Sequence, residues 1–89
     1  MKIIENPEEH WTQVVSDKLE GCRVLSVRYM TRQEADESGW YRRPLVMKLH
    51  HPNGDFLLLY PMQDDEGNDG GAMGTSLDDL PTIPVLNVY

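Results

Sequence analysis

The segment with the densest concentration of reactive side chains is acidic and rich in glycine. Residues 63–71 have the sequence Gln-Asp-Asp-Glu-Gly-Asn-Asp-Gly-Gly, and carboxylate and carbonyl oxygens on a flexible turn are the ligands that Ca²⁺ prefers. An EF-hand loop starting at Asp64 would need glycine at its sixth position and glutamate at its twelfth, where this chain has Asp69 and Thr75. We therefore predict no metal or other cofactor, and the weak metal candidates are Asp64, Glu66 and Asn68.

A second segment combines aromatic residues and arginines just before a predicted strand. Tryptophan, tyrosine and arginine are enriched at binding hot spots, but arginine stacked on an aromatic ring also closes the end of a small barrel. The acidic segment likewise has a structural alternative, a solvated connection whose carboxylates accept local amides. The interaction hypothesis assigns partner binding to eight residues: Trp40, Tyr41, Arg42, Arg43, Asp64, Asp65, Glu66 and Asp69.

The sequence contains no recognisable catalytic constellation. His50 and His51 are adjacent and would point to opposite faces of a strand, whereas His10 lies in a predicted helix. Cys22 lies close to Val24 at the start of a strand, which is typical of an inert core thiol. A single cysteine also excludes an internal disulfide and a four-cysteine zinc site. We predict no catalytic residues and a protein that is not an enzyme.

Charge is distributed unevenly along the chain. All eight lysines and arginines lie at or before Lys48, and the formal net charge of −7 belongs to residues 49–89. An acidic surface repels phosphate backbones and anionic membranes, so we expect no binding to nucleic acid or membrane. The acidic residues are typical either of solvated loops that partly neutralise arginines elsewhere in the fold or of a recognition face for a basic protein partner. The N-terminus lacks the apolar stretch of a signal peptide, and we expect a cytoplasmic protein.

The N-terminal half predicts two helices separated by a strand. Asn6-Pro7-Glu8-Glu9 is typical of a helix start, and the helix covers about residues 7–20. A strand over about 23–30 places Leu25, Val27 and Tyr29 on one side, which predicts that it is half-buried. Thr31-Arg32-Gln33-Glu34 has the pattern of a capping box and predicts a short second helix. The apolar face of the first helix consists of Trp11, Val14, Val15 and Leu19.

The C-terminal half predicts a hairpin followed by irregular chain. Strands over about 45–50 and 56–60 flank an Asn-Gly turn, a Gly- and acid-rich loop covers 63–76, and an extended tail covers 80–89. Together these elements predict one α+β domain over residues 1–89, with the N-terminal helix packed on a small, mainly antiparallel sheet. We favour a partly open, SH3-like barrel as the form of that sheet.

Several short segments resemble a family of small uncharacterised bacterial proteins in which V-R-x-M-T, G-W, R-P and D-x-E-G-N occur in this order. The resemblance extends from about Val24 to Gly74 and implies no activity, cofactor or catalytic residue. The turn at 50–55 is longer than the family's turn, and the tail after Gly74 does not match it. The matching segments are Val27-Arg28-Tyr29-Met30-Thr31 with Glu34, Gly39-Trp40, Arg43-Pro44, Tyr60-Pro61, and Asp64-Asp65-Glu66-Gly67-Asn68 with Gly71-Ala72.

These observations favour a small cytoplasmic protein–protein interaction module that is not an enzyme. The alternative function is binding of a divalent cation or a small ligand at residues 64–69. A homodimer is a further expectation, because the hairpin and the apolar tail leave a strand edge available for pairing with a second copy.

Overall fold

The chain forms an α+β structure with an open, five-stranded antiparallel sheet, which confirms the predicted fold class. The computed structural model describes residues 6–62 and 70–86. Neighbouring strands are antiparallel and follow the order β1-β2-β3-β4-β5. The elements are α1 (Pro7–Leu19), β1 (Arg23–Tyr29), α2 (Arg32–Glu37), β2 (Leu45–His50), β3 (Phe56–Pro61), β4 (Met73–Thr75) and β5 (Thr82–Ile83).

The two edges of the sheet differ in length and chemistry. Among the described residues β1 and β5 do not pair, so the sheet there does not close into a barrel. β5 has two residues and lies between Pro81 and Pro84, which have no backbone N–H to offer a further strand. β1 has seven residues and contains no proline, so it is the edge better suited to pairing.

Helix α1 begins as predicted at Pro7 and is capped by Asn6, whose side-chain oxygen accepts a hydrogen bond from the Glu9 amide at 3.1 Å. Its predicted apolar face is half-buried, and the opposite face is exposed. No side chain of this fully described helix is completely buried, however. Neither helix in the described ranges has the length and apolar character needed to cross a bilayer.

The C-terminal end of α1 contacts the rest of the fold through polar groups. The Lys18 ammonium lies 2.6 Å from the Asp79 carboxylate, and the His51 ring nitrogen Nε2 lies 3.0 Å from the Asp17 carbonyl oxygen. His51 Nδ1 accepts a hydrogen bond from the Asn53 amide, so Nε2 carries the ring proton and donates to Asp17. The His51 contact places the end of α1 beside the turn between β2 and β3, and the Lys18 ion pair joins it to the segment between β4 and β5.

Helix α2 has the predicted capping box. The Thr31 hydroxyl accepts from the Glu34 amide at 3.1 Å, and the Glu34 carboxylate accepts from the Thr31 amide at 2.8 Å. The helix lies on one face of the sheet, where Ala35 is buried against side chains of β2 and β3. The cluster at this end contains buried Met30, Ala35 and Val46 and, partly buried against them, Trp40, Leu58 and Tyr60.

The predicted hairpin is present between β2 and β3, with His50 paired to Phe56. In the turn, the His51 amide donates to the Asp55 carbonyl at 2.9 Å, and the Asp55 amide donates to the Asn53 side chain at 2.8 Å. Gly54 adopts the positive φ of 99° that favours glycine. Asn53 therefore shapes the turn through its side chain.

The predicted loop over 63–76 is wrong at its C-terminal end, because Met73–Thr75 forms β4 against β3. Gly74 lies opposite Tyr60, and a Cβ at this position would overlap the Tyr60 ring. Glycine here makes room for the ring, although in the sequence it looks like loop composition. Residues 63–69 of the predicted loop lie outside the described residues. The tail prediction over 80–89 includes β5, and its last three residues lie outside the described range.

Candidate interaction surface

A β-bulge in β1 determines which of its side chains share a face of the sheet. Val24 pairs with Leu49 and Ser26 pairs with Lys48, so Leu25 is an extra residue that has no partner position on β2. The bulge moves Val24, rather than Leu25, onto the face that carries Val27. The predicted grouping of Leu25 with Val27 and Tyr29 is therefore wrong, because simple alternation does not include a bulge.

Three large apolar side chains of β1 are exposed on one face of the sheet. Val24, Val27 and Tyr29 pair with Leu49, Met47 and Leu45 on β2, so all of them point to the same face. They are 53%, 57% and 62% exposed. We call Val24, Val27 and Tyr29 the apolar row. The prediction that this strand is half-buried is wrong, because β1 lies at the sheet edge and all seven of its residues are exposed.

The other face of β1 carries positive charge. Arg23, Ser26 and Arg28 pair with His50, Lys48 and Val46, so they share a face with the Lys48 side chain. The Lys48 ammonium lies 5.2 Å from the centre of the Phe56 ring, within the range of a cation–π contact. We call Arg23, Arg28 and Lys48 the basic row. Strand β1 therefore has an apolar side and a cationic side.

Arg28 joins the end of β1 to α2. Its two terminal nitrogens lie 2.7 and 2.9 Å from the two carboxylate oxygens of Glu34, which is a bidentate ion pair. The hydrogen bonds from Arg28, followed by the bond from the Thr31 amide, lower the pKa of Glu34 to about 2. Glu34 thus belongs both to the capping box and to the ion pair, and both contacts favour its charged form.

The structure separates the residues of the predicted aromatic–arginine site. Trp40 is half-buried against the cluster under α2, and among the described residues its buried indole nitrogen has no hydrogen-bond partner. Tyr41 is 101% exposed, and Arg42 is exposed. Arg43 donates from Nε to the Met30 carbonyl at 2.6 Å. Trp40 and Arg43 therefore have structural contacts, whereas Tyr41 and Arg42 extend into solvent.

The remaining predicted site residues lie outside the described residues. They are the partner-binding candidates Asp64, Asp65, Glu66 and Asp69 and the weak metal candidates Asp64, Glu66 and Asn68. Within 6–62 and 70–86 no three or more His, Cys, Asp or Glu side chains gather where they could hold a metal ion.

The cysteine has a structural contact. Cys22 is half-buried, and its thiol lies 3.4 Å from the Lys18 carbonyl oxygen at the end of α1. Burial raises the pKa of the Cys22 thiol, which favours the protonated form over the nucleophilic thiolate. This position is consistent with the packing role that the sequence suggested.

Sequence reasoning missed the apolar row because an alternating strand looks the same at an edge as in the middle of a sheet. One signal in β1 was informative. The seven-residue strand contains two arginines, Arg23 and Arg28. Charged side chains are a common feature of exposed edges.

No protein-family model, curated protein or solved structure matches this chain. The resemblance to the bacterial family therefore stays a prediction.

Proposed function

We propose that this protein is a small, non-enzymatic interaction module that binds a partner protein through β1. The observation that carries the proposal is the exposure of all seven β1 residues, three of which form the apolar row. An edge strand offers unpaired backbone N–H and C=O groups, and clustered exposed apolar side chains are typical of binding surfaces. Addition of a partner strand to such an edge is a common mode of protein recognition.

The strand is held in place before any partner arrives. At its C-terminal end, the Met30 amide donates to the Pro44 carbonyl at 2.8 Å, and Arg28 is fixed by Glu34. A binding strand that is already ordered loses less conformational entropy on association. Exposed Tyr41 and Arg42 follow β1 and α2 in the chain, just before Pro44, and can extend the same surface.

The other predicted interactions remain predictions. A basic partner for Asp64, Asp65, Glu66 and Asp69, and cation or small-ligand binding at 64–69, depend on residues outside the described ranges. Titration with Ca²⁺, followed through the amide signals of Gly67, Gly70 and Gly71, tests the cation alternative. A homodimer through β1 is a separate outcome, which we test below.

The proposal is tested by placing a charge in the apolar row and measuring partner capture. Val27→Lys puts an ammonium at the centre of the row, and Val85→Lys makes the same change at a position outside the sheet that is 61% exposed. Both wild type and variants are immobilised and exposed to native lysate, and bound proteins are quantified. Thermal melts of all three proteins verify that they are folded.

We expect wild type and Val85→Lys to retain the same proteins and Val27→Lys to lose them, because a buried lysine at the interface would lack a partner for its charge. Equal capture by all three, or no capture by wild type, would contradict the proposed function.

A further inference from the structure

We propose that the partner segment at β1 is an extended peptide in which acidic and apolar residues alternate. This inference rests on the proposed interaction at β1 and adds the chemistry of the ligand.

The strands and the rest of the chain differ in charge. The strands carry Arg23, Arg28 and Lys48 and contain no aspartate or glutamate. The chain as a whole nevertheless has a formal charge of −7. The strands themselves are thus basic although the protein as a whole is acidic, and complementary charge selects partners and accelerates their association.

The two sides of β1 require different neighbouring side chains from a partner strand. A strand that pairs with β1 directs its successive side chains to alternate faces of the sheet. Those on one face lie beside the apolar row, and those on the other lie beside Arg23 and Arg28. Cross-strand neighbours of opposite charge, and apolar neighbours of each other, stabilise a sheet. A partner with acidic residues on one face and apolar residues on the other satisfies both sides at once.

The basic side chains differ in whether they already have a carboxylate partner. The ion pairs in the described part of the chain are Arg28–Glu34 and Lys18–Asp79. Arg23 and Lys48 have no carboxylate partner in that part of the chain. We therefore assign the attraction for acidic residues chiefly to Arg23 at the sheet edge, with Lys48 contributing at longer range from β2, while Arg28 holds the strand against α2.

A second copy of this chain fits the same edge less well. Two β1 strands paired antiparallel in one continuous sheet would bring both basic rows onto the same face. Like charges on neighbouring strands destabilise the pairing. An acidic peptide instead neutralises the basic row.

The test uses four synthetic peptides of about nine residues, the upper range of ordinary strand length. The first alternates valine with aspartate and glutamate. The second replaces the acids by lysine, the third has the first peptide's composition with its acids in one block, and the fourth is the first peptide with alternate backbone nitrogens methylated. Binding is measured by fluorescence anisotropy, and the contacted amides by proton–nitrogen NMR spectra.

We expect the alternating acidic peptide to bind and to perturb the amides of Ser26–Tyr29, the regular part of β1 after the bulge. The other three peptides should bind at least about tenfold more weakly. Salt should weaken binding of the first peptide, since exposed charges are screened over about 10 Å at 0.1 M ionic strength.

Matched variants test the role of the basic row. Arg23→Gln combined with Lys48→Gln should lower the affinity for the acidic peptide about tenfold. Thr12→Glu combined with Gln13→Glu lowers the net charge of the protein by the same amount on α1 and should leave the affinity nearly unchanged. Equal loss in both double variants would overturn the inference, because the attraction would then come from net charge alone.

Three further results would overturn the inference while leaving the proposed function intact, provided that capture still depends on Val27. These are preference for the basic peptide, equal binding of the blocked peptide, and a dimer in sedimentation that Val27→Lys converts to monomer. The last result would identify a second copy as the occupant of β1. Loss of the Val27-dependent capture would contradict both proposals.

Discussion

Gly74 illustrates how one residue can decide whether a segment becomes a strand. The position lies opposite Tyr60 in the β3–β4 pair, and the Tyr60 ring occupies the space that a Cβ would need. Glycine is therefore required here by packing, although its φ lies outside the positive range of the turn glycines. A residue that weakens most strands is the one that permits this strand to pair.

We expect Gly74→Ala to lower the free energy of unfolding by about 1–3 kcal/mol, the usual effect of overpacking a well-filled site. Gly70→Ala is the matched control, because its nearest new contact would be an ordinary 3.6 Å from the Met62 carbonyl oxygen. Urea denaturation measures both. Gly74→Ala should lower the free energy of unfolding less in a Tyr60→Val background than in wild type. An equal effect in both backgrounds would show that the Tyr60 ring is not the cause.

At the level of elements, β1 and α2 are joined through Glu34. The same carboxylate closes the capping box and pairs with Arg28, so the strand edge and the short helix are held by one side chain. The sequence predicted the capping box from residue spacing. The ion pair depends on how α2 folds back over the sheet, which the spacing does not reveal.

The lowered pKa of Glu34 predicts a pH dependence of stability. The pKa is about 2 in the folded state against an ordinary value of 4.5, so the ionised carboxylate stabilises the fold above pH 4.5 and this contribution is lost as the pH falls through about 2. Glu34→Gln can keep the capping box but removes the charge. We expect Glu34→Gln to have a lower thermal midpoint than wild type near neutral pH. The difference between the two midpoints should disappear at acidic pH.

Glu37→Gln serves as the control, because it removes a carboxylate from the same helix without removing the Arg28 pair. A difference in thermal midpoint between wild type and Glu34→Gln that stays constant down to pH 2 would contradict the assigned role of the ion pair.

At the scale of the whole molecule, α1 has no fully buried face and makes polar contacts at its C-terminal end. No side chain of this described helix is completely buried, and its C-terminal end is held by Lys18–Asp79 and by the His51 contact to Asp17. The pair raises the pKa of Lys18 and lowers that of Asp79. Both groups are exposed, so salt screens their attraction.

We predict that α1 amides exchange with solvent through local opening, at a lower free energy than the amides of β2 and β3. Native-state hydrogen exchange measures this difference. Asp79→Asn should accelerate exchange in α1, and high salt should accelerate it in wild type but less in the variant. Asp78→Asn removes a neighbouring carboxylate and should have little effect. Equal protection of α1 and the central strands would show that the helix is integral to the core.

The sequence by itself determined the local features of this protein. The cap at Asn6, the capping box of α2 and the hairpin around Gly54 depend on residues close together in the chain, so their spacing is sufficient to predict them. The uneven distribution of charge is also visible in the sequence. Residues 63–69 lie outside the described part of the chain, and their predicted roles are still predictions.

Which surfaces are available depends on tertiary contacts. The bulge at Leu25 places Val24 on the face of Val27 and Tyr29. Because β1 lies at the sheet edge, these side chains are exposed. Gly74, which looks like a loop residue in the sequence, lies in β4 opposite Tyr60, and the Tyr60 ring occupies the space of its missing Cβ. Register and burial depend on contacts between residues distant in sequence. An alternating pattern specifies two faces but does not specify which of them another element covers.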